Sequence, residues 1–391
     1  MAREEFHLPA KVPLAGYSRR KGRPSTGQHD PVGVRALVFQ EDGTTVALAS
    51  CDLLIIDEQL FAAVQRRLEA EGLPPHATLL MAATHTHSGP GAYGSRYLEK
   101  ISMGHFNPAV FEGIATSVAH AIGRAYASRQ PVTMACVSGR SEGLVKNRVE
   151  EGGLVDDAVP VCAFYQAGTS TPLAVTLDFA AHPTTLGAWN MELSADYPGV
   201  AMRELDRQMP SAMSLFFAGS VGDQAPVKSG DRFERAEHIG VPLAQQAERL
   251  LAQAAPHEAA TLRAVQERMP LPPARVRIGR HLTLPRWIGR RLVDDDATLS
   301  LVRIGDSVWF GVPCDLSAVL GQQLKEAARA RGLFPVVVGF TDDYIGYCMP
   351  AAMYKSGRYE ALMAFNGPQT GELIVSRLIE MLDGLAHSTQ R

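Results

Sequence analysis

The segment Leu79-Leu80-Met81-Ala82-Ala83-Thr84-His85-Thr86-His87-Ser88-Gly89-Pro90-Gly91 joins an apolar run to a His-x-His pair and a loop rich in glycine and proline. The apolar run predicts a buried β-strand. Side chains two apart on a strand share a face, so His85 and His87 should point the same way from the rim of a sheet. Two neighbouring imidazoles suit a borderline-soft divalent metal. The alternative is that one or both only form hydrogen bonds within the loop.

The residues before this segment predict its neighbours. Strands at 34–39 and 45–50 surround an Asp42-Gly43 turn, a helix follows at 57–71, and the strand that leads to His85 comes next. A strand, a helix and a second strand in this order favour a parallel pair with a crossover connection.

Strands and helices alternate through most of the remaining chain. Strands are predicted at 132–137, 159–165, 173–179, 212–218, 261–269, 299–304, 307–312 and 334–340, and helices at 108–128, 197–209, 232–254, 313–331 and 371–385, with a loop at 92–107. We therefore predict an α/β fold: one large domain over 1–391, built on a mixed, mostly parallel β-sheet flanked by helices.

Composition narrows the function classes. The 391 residues include 38 Lys+Arg against 41 Asp+Glu, and 46% are hydrophobic, which is ordinary for a soluble globular protein and gives no reason to expect nucleic acid. No apolar run approaches the roughly 18 residues needed to span a bilayer. The N-terminus lacks the apolar core of a secretory signal, which predicts a cytoplasmic protein. The oligomeric state is left open.

Cysteines are few, scattered and odd in number. They are Cys51, Cys136, Cys162, Cys314 and Cys348. We predict reduced thiols, mostly buried.

The segment 270–296 has a different composition and is predicted to be a basic surface insertion. It holds Arg275, Arg277, Arg280, Arg286, Arg290 and Arg291 around Trp287 and Ile288. A basic segment with an aromatic residue suits an anionic membrane surface or an acidic lipid headgroup. A solvated face balanced by the three aspartates at 294–296 is the favoured alternative, because charge runs are usually solvated.

Several predicted strands end in a short run of residues whose side chains can bind a metal or transfer a proton. These runs are Cys51-Asp52, Thr84-His85, Ala181-His182, Gly222-Asp223, Pro313-Cys314-Asp315 and the turn from Tyr344 to Tyr347. The ends of parallel strands meet along one edge of a sheet, so we predict a metal site at that edge.

The run from Thr84 to Gly91, followed by Tyr93, resembles the signature of the neutral (non-lysosomal) ceramidases. Members of that family are zinc-dependent hydrolases that split the amide of an N-acylated sphingoid base. The resemblance covers nearly the whole chain in short motifs, so it implies a ceramidase-like catalytic domain over 1–391. Bacterial and animal members carry a further C-terminal β-sandwich domain, which we expect to be absent here.

The resemblance also implies a set of zinc (Zn²⁺) ligands. His85 and His182 match the two zinc histidines, and Tyr347 matches the family's tyrosine ligand. Asp315 stands where the family has a glutamate, which is one methylene longer. Tyr359, twelve positions after Tyr347, matches a tyrosine beside the substrate carbonyl. Further matches are Asp196 and the pair Asn147-Arg148.

One departure changes the expected chemistry. The family has a serine in the segment that reads Gly222-Asp223-Gln224-Ala225-Pro226 here. Alanine has no oxygen, so covalent catalysis by a serine at this position is excluded. Ser220 or Ser88 could replace it in space.

The resulting prediction is a zinc-dependent hydrolase of an amide or ester. Zinc lowers the pKa of bound water to about 7, which supplies hydroxide at neutral pH. Tyr359 or Arg148 would stabilise the oxyanion, and His87 would donate a proton to the leaving group. Asp223 or Asp52 would orient a ligand imidazole. The expected partner is a small acyl amide or ester, lipid-like or more polar than ceramide.

Two alternatives remain. One is a homologue that binds a metal or ligand without turnover, which the alanine at 225 would suit. The other is a lipid-surface protein that uses the segment from Arg275 to Arg291.

Overall fold

The computed structural model describes residues 1–259, 261–279 and 282–387. Its strands, in chain order, are β1 (Ala2–Glu5), β2 (Gly27–Gln28), β3 (Gly33–Glu41), β4 (Thr44–Cys51), β5 (Thr78–Ala83), β6 (Val132–Arg140), β7 (Val145–Asn147), β8 (Ala158–Gln166), β9 (Pro172–Phe179), β10 (Glu192–Leu193), β11 (Met213–Ala218), β12 (Gln224–Pro226), β13 (His257–Glu258), β14 (Leu262–Pro270), β15 (Arg277–Ile278), β16 (Leu282–Thr283), β17 (Asp296–Ile304), β18 (Ser307–Val312), β19 (Asp315–Leu316), β20 (Phe334–Gly339) and β21 (Tyr347–Cys348). Its α-helices are α1 (Glu58–Leu68), α2 (Tyr97–Met103), α3 (Pro108–Ala127), α4 (Asp196–Gln208), α5 (Glu234–Leu251), α6 (Arg286–Gly289), α7 (Ala318–Arg329), α8 (Tyr359–Leu362) and α9 (Thr370–His387), and short 3₁₀ turns lie at Ser18–Arg20 and Ala351–Ser356.

Three sheets form the centre of the fold. The N-terminal sheet has the strand order β1-β3-β4-β5, the middle sheet β11-β9-β8-β6-β13, and the C-terminal sheet β14-β17-β18-β20. Each contains the same unit, in which an antiparallel hairpin is followed by a helix and a strand parallel to the second hairpin strand. The helix is α1, α4 or α7, and the parallel pair is β4–β5, β9–β11 or β18–β20.

The predicted mixed α/β class is confirmed, and so is the parallel pair before His85. The prediction of one mostly parallel sheet is wrong: the described strands form three larger sheets and four two-stranded ones, and most strand pairs in the larger sheets are antiparallel. The cause is that each helix crossover adds one parallel strand to a hairpin that is already antiparallel.

The three sheets pack their inner faces together. Their apolar side chains form one buried cluster, which includes Val46, Leu48 and Leu80 of the first sheet, Phe164, Leu215 and Phe217 of the second, and Val302, Trp309 and Val338 of the third. The outer faces are covered by helix pairs: α1 with α3, α4 with α5, and α7 with α9. Burial on both faces explains the nearly continuous apolar strands.

Local signals agree with the element ends. The side chain of Asp57 accepts a hydrogen bond from the Leu60 N–H at 2.7 Å and so begins α1. Asp42 and Gly43 have φ values of +45° and +79°, as a two-residue hairpin turn requires. The predicted loop at 92–107 contains the seven-residue helix α2, which is too short to give a clear period. Within the described residues, none of the helices combines the length and the apolar character needed to cross a bilayer.

The cysteine prediction is wrong for one pair. Cys136 and Cys162 form a disulfide, whereas Cys51, Cys314 and Cys348 are free and buried. Antiparallel pairing of β6 with β8 places the two bonded cysteines directly opposite each other, with 4.1 Å between their Cα atoms. Sequence spacing does not reveal such a cross-strand neighbour. Disulfides are more typical of oxidising compartments, and a cytoplasmic location stays a prediction.

Candidate metal centre

Each of the three sheets supplies one candidate ligand at the end of a parallel strand. His85 follows β5, His182 follows β9, and Asp315 follows β18. All three side chains are buried. The strand ends converge because the three units pack with the same end toward the same edge, which brings together side chains from distant parts of the chain.

The parallel neighbour of each of these strands supplies a group that holds the ligand. The Nδ1 atoms of His85 and His182 lie 2.6 and 3.1 Å from the carbonyl oxygens of Leu54 and Val221, which follow β4 and β11. The Tyr344 hydroxyl, after β20, donates to Asp315 Oδ2 at 2.8 Å. These contacts orient all three side chains.

The free atoms of this set face one another. His85 Nε2 lies 2.9 Å from His182 Nε2, and Asp315 Oδ1 lies 3.6 and 3.5 Å from the same two nitrogens. His87 Nε2 is 3.3 Å from His85 Nε2, and the Tyr347 hydroxyl is 3.5 Å from His182 Nε2. Nitrogen ligand atoms of His85, His87 and His182 all lie within 4.8 Å of each other.

The donor set fits a zinc ion. Because a carbonyl can only accept, both Nδ1 atoms are assigned the proton, which leaves an Nε2 lone pair on each ring. Two lone pairs then face each other at 2.9 Å, beside a buried Asp315 Oδ1 that has no hydrogen-bond donor among the described residues. Such an arrangement is repulsive without a cation. Tetrahedral zinc with bonds of about 2.0–2.1 Å separates its ligand atoms by about 3.3 Å, close to the observed spacing.

Electrostatics support the same assignment. Burial lowers the pKa of His85 to about 3 and the pKa of His182 well below its ordinary value, so both rings are neutral at pH 7. Burial raises the pKa of Asp315 to about 7, although the hydrogen bond from Tyr344 acts in the opposite direction. Neutral imidazoles are metal ligands, and a bound cation would keep the carboxylate ionised.

His85 is held in an unusual backbone conformation. Its φ is +62°, in the left-handed region that side chains other than glycine rarely adopt. The ring of Phe340, the first residue after β20, stacks against the His85 ring, and Phe340 itself has a φ of +58°. Strain of this kind clusters at functional sites. No local sequence pattern marks Phe340 as a site residue, because its partner follows a strand of another sheet.

Arg148 and Tyr347 form a unit beside the ligands. Arg148 donates to the Tyr347 hydroxyl at 3.0 Å and to the Gly222 carbonyl at 2.9 Å, and it pairs with Glu360 at 3.1 Å. The guanidinium therefore fixes the phenol next to His182. The predicted spacing brings Tyr347 to the site, with Tyr359 stacked edge-on 5.6 Å away.

His87 differs from the other two histidines. It is half-buried and its Nδ1 has no hydrogen-bond partner among the described residues. The loop that carries it is held by Arg20, whose guanidinium donates to the His87 carbonyl at 2.6 Å and to the Ala15 carbonyl at 2.7 Å. Gly16, at φ +102°, is required here because a Cβ would lie 2.6 Å from His87 Nδ1. Arg20 and Gly16 lie in a segment whose irregular sequence carried no pattern that marked them.

The predicted aspartates occupy supporting positions. Asp223 accepts from the Ala318 N–H at 2.9 Å at the start of α7, and Asp52 accepts from the Gly33 N–H at 3.0 Å. Neither contacts a ligand imidazole in the described structure; the Leu54 and Val221 carbonyls take that position instead.

Asp196, the other aspartate that the resemblance singled out, is buried at the start of α4. It accepts a hydrogen bond from the Leu186 N–H at 3.1 Å and another from the Thr185 hydroxyl. These bonds fix the loop that follows His182.

A cavity of about 650 Å³ opens onto the ligands, and most of its lining is apolar. His85, His87, Asp315, Tyr347 and Tyr359 lie on its wall. Of the segment 270–296, Val276, Leu284, Leu292 and Val293 line the cavity, whereas Trp287 is exposed. Part of this segment is therefore a wall of the site; Arg280 lies outside the described residues.

The predicted serine substitutes do not reach this cavity. Ser88 is buried and its hydroxyl contacts the Asn190 amide at 3.0 Å, and Ser220 is buried against α7, next to Gly321. Neither is among the described residues of the cavity wall, on which Ser18 and Ser102 provide the serine hydroxyls. Ala225 lies in β12, paired with Lys146 of β7.

Comparison with known proteins gives one family match and relatives that carry the same family name. Residues 8–236 match the family model described as neutral/alkaline non-lysosomal ceramidase, N-terminal. The neutral ceramidase of Pseudomonas aeruginosa is 26% identical over 260 residues, which are 59% of this chain and 38% of that protein. Neutral ceramidase A of Dictyostelium discoideum is 28% identical over 209 residues, 49% of this chain and 29% of that protein. The aligned regions thus span well under half of these relatives.

The fold is shared with a solved structure. The crystal structure of the Pseudomonas aeruginosa neutral ceramidase superposes with a TM-score of 0.88 at 20% identity, covering 99% of this chain and 74% of that chain. At this identity the superposition establishes the fold.

Proposed function

The chain belongs to the neutral/alkaline non-lysosomal ceramidase family, and from this premise we propose that it is a zinc-dependent hydrolase that cleaves an amide or ester bond of an acyl compound. One observation carries the proposal: two neutral imidazoles direct their Nε2 lone pairs at each other across 2.9 Å, beside an unpaired buried carboxylate oxygen. A divalent cation resolves that arrangement, and the donor types suit zinc.

The proposed ligands are His85, His182, Asp315 and Tyr347. When bound, zinc would supply Lewis acidity and activate water for attack on a carbonyl at neutral pH. The chain's own contribution is to hold the ligand atoms in place through Leu54, Val221 and Tyr344 and to exclude bulk water by burial.

His87 is proposed to carry the proton. It lies on the cavity wall beside the ligands, and burial, followed by the neighbouring His85 and Arg20, lowers its pKa well below the ordinary value. A neutral imidazole can accept a proton at its free nitrogen and, because that proton is weakly held, pass it to a leaving amine or alkoxide.

Tyr359 is proposed to contact the reacting carbonyl. Tyr359 is 59% exposed on the cavity wall, so its hydroxyl is accessible to a substrate. A phenol donor at this place can stabilise an oxyanion. Arg148 is committed to Tyr347, Gly222 and Glu360, so we propose that it positions Tyr347 and supports the oxyanion site through it. Asp223, which begins α7, is proposed to position the segment that follows Asp315.

The cavity favours a lipid-like acyl group. Its apolar wall, which includes Leu54, Val276 and Leu292, suits a hydrocarbon chain next to the metal ligands. The alanine at 225 removes a hydroxyl that the family has, so we propose a substrate that differs from ceramide around the amine or alcohol portion.

The test combines metal content with turnover. We expect about one zinc per chain, lost in His85→Ala and His182→Ala and retained in His76→Ala, a matched change at an exposed histidine. The zinc-loaded protein should hydrolyse at least one member of a panel of N-acyl and O-acyl compounds, and a chelator should abolish that activity. Failure to take up zinc on dialysis would contradict the proposed ligand set.

A non-catalytic homologue is the second candidate. It is favoured by Ala225 together with the placement of Ser88 and Ser220 away from the cavity wall. Stoichiometric zinc without turnover of any substrate on the panel would support this candidate against the first.

A further inference from the structure

Apolar side chains are exposed on the segments that line the cavity and directly beside the lining residues in sequence. Tyr97 and Ile101 of α2, Ile278 and Leu282 of the β15–β16 hairpin, and Trp287 of α6 are each more than half exposed, with Trp287 at 65%. We call these five residues the mouth rim. Single exposed apolar residues are ordinary, but a cluster at the entrance of a cavity marks a surface that meets another phase or molecule.

The mouth rim is continuous with the cavity. Tyr97, Ile101 and Ile278 line the cavity and are also exposed. An apolar path therefore runs from the outer surface to the metal ligands. A large exposed apolar entrance would be unfavourable in water unless something covers it.

Three arginines lie near the exposed Trp287 in sequence. Arg286, Arg290 and Arg291 lie in and directly after α6, and the Arg291 guanidinium is 5.9 Å from the Trp287 ring centre. No carboxylate forms an ion pair with any of these arginines in the part of the chain that the structure describes.

Two of the three aspartates expected to neutralise this segment are engaged elsewhere, and the third, Asp295, forms no ion pair with these arginines within the described residues. Asp294 accepts from Arg96, and Asp296 pairs with Arg268 at 2.6 Å. The arginines of α6 are thus uncompensated beside an exposed apolar surface, which argues against a balanced, solvated face.

We propose that the mouth rim docks on the surface of an anionic lipid bilayer. Tryptophan and aliphatic side chains enter the boundary between headgroups and acyl chains, and arginines bind the lipid phosphates. An acidic protein would pair with the arginines but would not cover the apolar path into the cavity, which would stay exposed to water. Docking of this kind depends on surface residues and is independent of the metal ligands and of turnover.

Sedimentation with lipid vesicles tests the proposal. The full chain should bind vesicles of phosphatidylcholine with phosphatidylserine much more strongly than phosphatidylcholine alone, and roughly 0.5 M salt should weaken the binding because it screens surface charge. Arg286→Gln with Arg290→Gln and Arg291→Gln should reduce partitioning by roughly five-fold per arginine. Trp287→Ala should reduce it on both lipid compositions.

A matched triple variant provides the control. Arg66→Gln, Arg129→Gln and Arg329→Gln remove the same charge at the far end of the sheets, where α1, α3 and α7 end. Binding that survives in the control and falls in the mouth variants supports the proposal. No binding by the folded wild type, or equal losses in both triples, overturns it.

Discussion

The ring of Phe340 lies flat on the imidazole of His85, with ring centres 3.7 Å apart and planes inclined by 6°. Tyr344 stacks behind Phe340, with the ring centres 6.2 Å apart. A residue that follows the C-terminal sheet therefore packs against a proposed ligand that follows the N-terminal sheet. Since packing fixes the orientation of a ligand ring, this contact should matter for metal affinity.

Phe340→Leu should weaken zinc binding by about ten-fold, because the imidazole loses the flat surface that orients it. Competition with a chromogenic chelator measures the affinity. Phe217→Leu changes an equally buried residue in the apolar cluster between the three sheets. It should lower the melting temperature without changing zinc affinity. Equal zinc affinities for Phe340→Leu and wild type would show that the stack does not position His85.

Tyr344→Phe should also weaken zinc binding, by roughly ten-fold, since it removes the hydroxyl that orients Asp315. Trp309→Phe removes a buried hydrogen bond from the indole N–H to the Ser307 hydroxyl, away from the candidate ligands, and should leave zinc affinity unchanged. If the two variants bound zinc alike, Asp315 would not depend on Tyr344.

His87→Gln separates a proton carrier from a metal ligand. If His87 carries the proton, the variant keeps about one zinc while kcat falls by about 10²–10⁴. Metal analysis and turnover on the same preparation give both readings. Loss of zinc equal to that of His85→Gln would instead make His87 a ligand and leave the proton transfer to another group.

Stability should fall as pH rises through neutrality, partly because of Asp52. Burial raises the pKa of its carboxyl to about 7, so the folded state holds a proton that the unfolded state has released. The resulting stabilisation is complete below about pH 4 and is lost as pH approaches and passes 7. Asp52→Asn should reduce the difference in unfolding free energy between pH 5 and 8 by about 2–3 kcal/mol. An unchanged pH dependence in urea titrations would rule out this role.

The thiol count tests the disulfide. Of five cysteines, three are free, so denatured protein without reductant should react with three equivalents of a thiol reagent, and with five after reduction. Replacing Cys136 and Cys162 with alanine should cost about 2–4 kcal/mol of stability, and reductant should then have no further effect on the melting temperature. Five reactive thiols before reduction would contradict the bond.

The sequence was informative where one local pattern carries one structural meaning. The His-x-His pair after an apolar strand, the cap at Asp57 and the hairpin turn at Asp42 are all of this kind. The convergence of His85, His182 and Asp315 was also predictable, because each ends a strand. The exact partition into three sheets was not, since strand pairing depends on contacts between distant segments.

Other features of the site leave little trace in a single sequence. Leu54 and Val221 hold the imidazoles through backbone carbonyls, which every residue type has. From the sequence, Phe340 is only the last residue of a predicted strand. Its contact with His85 depends on how two sheets pack together. The Cys136–Cys162 bond likewise depends on register, and a one-residue shift would have separated the two thiols.

The recurrence of one unit in three sheets has a consequence for assembly. His85, His182 and Asp315 each follow a strand of a different sheet, so any fragment that lacks one of these sheets lacks one proposed ligand. The site would therefore bind a metal ion with full affinity only after all three sheets have packed together, so ion binding would report that the tertiary structure is complete. A partly assembled chain would therefore lack the complete proposed metal site.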